Sequence, residues 1–190
     1  MAQEGVLVFQ KWGIKMRYTA TIAALAATLV AATPAMAAST ATATANAKGI
    51  VLKSLSLASS ADLDFGTVAA DATNPGTVTV DSDTGARSTG GAVVALPGPF
   101  GRAQFDGLGD PNAVVTLTLT QPVGGVICNG GAGCPNSIPA ALSLDNGGAT
   151  SRTTDGLGRF TVFVGGTFNI AANQANGTYS APFDLTAVYP

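Results

Sequence analysis

Residues 177–190 read GTYSAPFDLTAVYP, and from Tyr179 every second position is apolar or small: Tyr179, Ala181, Phe183, Leu185, Ala187 and Tyr189. Thr178, Ser180, Asp184 and Thr186 fall between them. Successive side chains leave a pleated backbone on opposite sides, so a period of two is what a strand with one buried face requires. The stretch predicts a strand on the edge of a core, and it poses the question of what lies along it.

After residue 37 no segment carries a helical period, whereas short alternating runs recur at 41–57, 62–68, 76–83, 91–97, 101–107, 112–121, 140–146, 158–170 and 177–189. Between them sit DATNPG, DSDTGARSTGG, LGDPN and NGGATSRTTDGLG, whose Asn, Asp, Gly and Pro supply turns. Residues 122–139, PVGGVICNGGAGCPNSIP, form the longest irregular stretch. In 112–121 Val115, Leu117 and Leu119 alternate with Thr116, Thr118 and Thr120; in 158–170 Phe160, Val162 and Val164 alternate with Thr161 and Phe163. The pattern predicts an all-β sandwich with Val, Leu, Ala and Phe inside and Thr outside.

Lys11, Lys15 and Arg17 precede the uncharged run YTATIAALAATLVAATPAMA (18–37), which ends in the small-residue site Ala35-Met36-Ala37. This order is that of an export signal, with cleavage expected before Ala38, and the Ala- and Thr-rich run broken by Pro34 fits a membrane anchor poorly. Met16 followed by Arg17 is a second candidate start, which makes 1–15 an over-called lead. Beyond residue 37, six basic residues stand against ten Asp, a net charge of −4 that argues against a nucleic-acid partner. The same region has no His, no Glu and no Trp. Without His, acid–base and nucleophilic catalysis near neutral pH loses its usual agent, and neither G-x-S-x-G nor a phosphate loop occurs, so the chain does not read as an enzyme and implies no cofactor.

Cys128 and Cys134 follow an export signal, so a disulfide closing a small Gly-rich loop is expected. Zinc lacks four plausible ligands, and C-x5-C does not match the C-x-x-C of thiol oxidoreductases. The tight carboxylate pairs Asp62/Asp64 and Asp81/Asp83 could each present two groups to one cation, but no EF-hand pattern follows them, and turn capping is the plainer reading. Asn176-Gly177-Thr178 matches a glycosylation acceptor, but its plainer reading is the turn that opens the last strand.

Gly177 is fourteenth from Pro190 and Tyr189 is penultimate. A Gly at that distance, alternating apolar positions and a penultimate Tyr resemble the carboxy-terminal strand of bacterial pilins assembled by the chaperone–usher route. ATATANAKGIVLKSLSLASSADLDFGTV (41–68), with its DLDFGTV box, resembles a family of secreted Ala/Thr-rich proteobacterial proteins likened to common-pilus fimbrial subunits. The resemblance implies an immunoglobulin-like β-sandwich over 48–190 that lacks one strand. It implies that Gly177, Tyr179, Phe183, Leu185 and Tyr189 belong to the strand flanking the empty groove, met first by a periplasmic chaperone and then by an outer-membrane usher. It also implies that 38–47, with Ala41, Ala43, Ala45 and Ala47 on one face, is the donor strand for the next copy in a cell-surface filament. These Ala are small, and Ile50, Leu52, Leu55 and Leu57 share the docking if the donor boundary moves toward Leu52. The alternative is a self-complete secreted sandwich that binds carbohydrate or another surface polymer, with Ala38–Leu57 folded back on its own domain.

Overall fold

The computed structural model describes residues 40–130 and 133–190, so the export segment and its site Ala35, Ala37 and Ala38 lie outside the described residues. The chain divides into Met1–Ala47 and Lys48–Pro190. Of the first unit, the described residues Thr40–Ala47 are exposed and form no strand.

The second unit consists of β1 (Ser56–Ala61), β2 (Val68–Ala69), β3 (Gly76–Val80), β4 (Arg87–Gly91), β5 (Val94–Ala95), β6 (Ala103–Leu108), β7 (Val114–Thr120), β8 (Val126–Cys128), β9 (Ser137–Leu144), β10 (Ser151–Thr153), β11 (Arg159–Ile170) and β12 (Asp184–Val188). Every pairing is antiparallel. β11 is the spine of the larger sheet. It pairs with β6 along 159–164, with β3 along 166–170 and with β9 along 164–168. β9 overlaps both other partners, so β6 and β3 share the opposite edge of β11 and hand over at Gly165. A Cβ there would run into the Val80 carbonyl, and the close backbone approach requires glycine. β1 extends this sheet beyond β6, and β4 extends it beyond β3. A second sheet has the order β10-β7-β12, and β2 pairs with β5 in a small third one.

The all-β sandwich expected from the alternation is what the chain adopts. Val115 and Leu117 of β7, Phe160, Val162 and Val164 of β11, Val78 and Val80 of β3, alternate residues of β9 and Leu185 of β12 are buried in one cluster. Thr118, Thr120 and Thr161 face outward. Burying a Val or Leu side chain contributes about 1.5–3 kcal/mol, so this interdigitated set supplies the main favourable term. Arg152 is buried against Asp145, and its guanidinium also donates to the carbonyls of Ala149 and Ser151, which fixes the turn that leads into β10.

Five local expectations need correction. The strand expected over 62–68 does not form: Asp64 makes a single bridge to Gly101, and only Val68 joins a strand, β2. The strand expected over 41–57 begins only at Ser56, and Thr40–Leu55 carries no strand; the Ala, Thr and Asn side chains of 40–47 offer little area to bury. β4 forms in RSTGG, read as loop, through its backbone ladder to β3. β8 and β10 likewise lie in stretches read as irregular and are held by β9 and β7. The last strand pairs regularly only over Asp184–Val188, although the alternation in burial continues back to Tyr179.

Candidate functional site

The carboxy-terminal segment runs with one edge engaged and one edge free. β12 pairs with β7 alone, and further back Ser180 exchanges both backbone hydrogen bonds with Cys128 of β8, at 2.9 and 3.3 Å. The N–H of Leu117 bonds instead to the Thr150 carbonyl on the β10 side, so it is the even residues of β7 that face β12. In register, Thr116, Thr118 and Thr120 meet Val188, Thr186 and Asp184. By strand alternation, Ala181, Phe183, Leu185 and Ala187 direct their backbone groups to the other edge. Among the described residues no strand lies there. β1 is in the same condition, since it pairs with β6 and with nothing on its far side.

Where β1 ends, and opposite it the segment that leads into β12, lies a groove with two adjoining chambers that share Leu63, Phe65, Phe168 and Tyr179 in their walls. The first, about 470 Å³, is walled by Ser59–Leu63 on one side and Tyr179–Phe183 on the other, over a floor of Phe105, Ile127 and Leu142. The second, about 770 Å³, continues between 63–70 and 174–179 and is bordered by β2. Phe65 stacks on Phe168 beneath both, and Phe183 meets Phe105 edge to face with 5.9 Å between ring centres.

The first chamber is mostly apolar inside and the second is of mixed polarity, with polar groups that hold the walls of both. Ser60, at the irregularity where β1 shifts register, donates to Asp106 at 2.7 Å, and Thr161 donates to the same carboxylate at 2.8 Å. These hydroxyls, Ser60 foremost, hold the Asp106 carboxyl below its ordinary range. On the opposite wall Tyr179 donates to the Ala175 carbonyl and accepts from Gln174. Cys128 and Cys134 are joined in the disulfide expected from sequence, with Cα atoms 5.3 Å apart, and Asn129 between them packs over Gly177, where a Cβ would lie 2.6 Å from its side-chain nitrogen. The disulfide loop therefore fastens the wall that contains Gly177, Tyr179 and Ser180. Beyond the residues that line the first chamber the two segments are joined: Tyr189 donates to the Lys53 carbonyl at 3.0 Å and accepts the Asp110 N–H at 2.7 Å.

Tyr179 and Phe183 line this groove, Leu185 and Tyr189 follow on the same segment outside its lining, and all four are half-buried or buried, the alternation in burial that the sequence predicts. Ala41, Ala43, Ala45 and Ala47 fall among the described residues of the first unit, which are exposed and form no strand. Ile50 and Leu52 are exposed, whereas Leu55 and Leu57 pack on the core. Asp64 and Asp81 serve as turn caps: Asp64 accepts the Gly66 N–H at 2.7 Å, and Asp81 accepts the N–H groups of Asp83 and Thr84. Sequence reading missed the other wall, Ser59–Phe65, and the floor from Phe105 and Phe168. Their signal was the DLDFGTV box, which sits where β1 gives way to the second chamber.

Residues 55–189 match the family described as a domain of unknown function (DUF4402). No curated protein and no solved structure matches the chain.

Proposed function

The chain belongs to this family of unassigned function, and from that premise we propose that it is a structural subunit of an extracellular pilus or fimbria. In this reading the sandwich is immunoglobulin-like and one strand short, and an extended segment of a neighbouring copy fills the groove between β1 and β12. The observation that carries the reading is the pair of strand edges, of β1 and β12, left unpaired among the described residues beside a groove whose first chamber is apolar. An exposed edge beside exposed apolar surface is an aggregation hazard in a lone domain. A strand supplied by another chain satisfies the backbone and covers the groove in one step. Because each copy gives a segment and receives one, the contact is heterologous and grows as a filament.

Donation falls to 38–47, with Ala41, Ala43, Ala45 and Ala47 toward the groove, a segment whose described residues form no strand within their own chain. Before assembly a periplasmic chaperone covers the wall formed by Gly177, Tyr179, Phe183, Leu185 and Tyr189 and hands the subunit to an outer-membrane usher. The work is mechanical, attachment at the cell surface, and the reading assigns no catalysis. Ala43→Asp tests it, since a charge on the buried face of a donated strand costs a few kcal/mol when unpaired. Wild-type copies should form ladders on size-exclusion chromatography, whereas Ala43→Asp copies fold, remain monomeric and still bind a synthetic peptide of residues 38–57. Ladders of wild-type length from Ala43→Asp copies contradict the assignment, and a wild-type chain that remains a sharp monomer favours the self-complete binding module.

A further inference from the structure

Resting on that reading of the groove, we infer that the two ends of the sandwich are complementary docking faces through which a second copy of this chain stacks end to end, in addition to the donated strand. Two exposed apolar clusters mark the ends. Leu108, Val114 and Leu157, the last 65% exposed, lie at one end, where β6 finishes, β7 begins and β11 starts. Val94, 58% exposed, lies with Leu96 and Phe100 near the other, where Ile170 closes β11 against Gly76 and Gly76 meets Gly91 of β4. The twelve residues of β11 separate them by about 36 Å at the rise of a strand.

The groove decides which face meets which. Beyond its first chamber the two segments that wall it are tied together by Tyr189 on Lys53, at the point where the chain enters the fold, and this tie bars an exit on that side. Its open chamber is bordered by β2, whose partner β5 carries Val94. The chain trailing from a strand seated in the groove must therefore leave by the open end, beside Val94 and Leu96, and run into the first end of its own domain. If Ala47 is the last seated residue, Lys48–Leu52 is the whole link, five residues that span at most about 17 Å. So short a link brings the two apolar ends together. It also brings in Ile50 and Val51, 77% and 95% exposed in the free chain.

Both faces are prepared for contact. Leu157 is held in its turn by the Asp155 carboxylate, which accepts the N–H groups of Leu157 and Arg159 at 2.8 Å each. On the other face Arg87 lies 4.5 Å over the Phe100 ring and donates to the Leu96 carbonyl at 2.9 Å, which ties two of the three apolar residues to one guanidinium.

The test uses the full chain with Leu157→Asp, Val94→Lys and the double variant. Both positions are exposed, so folding is retained, and binding of a 38–47 peptide, which ends before the link, should match wild type in all three. Each single variant should elongate at least about tenfold more slowly by light scattering, and the double variant, which sets Asp against Lys across every junction, should recover most of the wild-type rate. Single variants that elongate at the wild-type rate overturn the docking faces and leave the groove reading intact, as does a loss of peptide binding that accounts for the slower growth. A wild-type chain that neither elongates nor binds the peptide overturns the groove reading itself, and the docking faces with it.

Discussion

Tyr189 and Lys53 are joined beyond the first chamber of the groove: the phenol of Tyr189 donates to the carbonyl that precedes β1, and the Asp110 N–H donates back to the same oxygen. One hydroxyl thus ties the carboxy-terminal strand, the β6–β7 turn and the start of β1 into a corner. Tyr189→Phe keeps the ring and removes the oxygen, leaving the Asp110 N–H without its partner. The expected loss is about 1–3 kcal/mol in urea unfolding. An unchanged midpoint would show that the corner contributes nothing to the fold.

Which parts of this arrangement the sequence announces follows from where the determining interactions lie. The alternation Tyr179 to Tyr189 is local, so the buried face of the last strand was legible, as were β6, β7 and β11. β4 was not, because RSTGG has neither alternation nor bulk and becomes a strand only when β3 offers it a ladder. β1 was placed too early, since the alternating Ala and Thr of 41–47 imitate a strand whose small side chains would bury little. The groove itself is a product of long-range pairing. Its floor brings Phe65, Phe105 and Phe168 together from three distant segments, and no spacing in the sequence joins them. The disulfide was legible from composition, but its contact with Ser180 was not.

That contact yields a second prediction. Cys128 exchanges backbone hydrogen bonds with Ser180 while its sulfur anchors the loop to Cys134. Replacing both cysteines by Ser should cost about 2 kcal/mol through the freed loop and lower affinity for the 38–57 peptide, because the wall from Gly177 to Phe183 loses its fastening. Thermal unfolding and calorimetric titration measure the two effects. Peptide affinity equal to wild type would separate the disulfide from the groove.

Acid should loosen the turn before β3. The Asp71 carboxyl is lowered to about 2, first by the N–H groups of Thr73 and Asn74 and then by the Thr73 hydroxyl. In the unfolded chain an Asp titrates near 3.9. With the folded value below the unfolded one, the stabilisation is fully present above about pH 4 and is lost as pH falls toward 2. Unfolding midpoints of wild type and Asp71→Ala should therefore differ above pH 4 and converge near pH 2. A gap that stays constant across that window contradicts the assignment.

The central claim is that the outer edge of the carboxy-terminal strand is vacant in one copy and filled by another, and amide hydrogen exchange read residue by residue tests it most directly. The N–H groups of Asp184, Thr186 and Val188 face β7 and should be protected in free and assembled protein alike. Those of Ala181, Phe183, Leu185 and Ala187 face the vacant edge and should exchange quickly in the monomer, then slow by at least about a hundredfold on assembly or on binding the 38–57 peptide. This alternate-residue pattern is the result the account predicts. Odd-numbered amides that are already protected in the monomer, or that exchange as fast in the assembled form as in the free one, would contradict it.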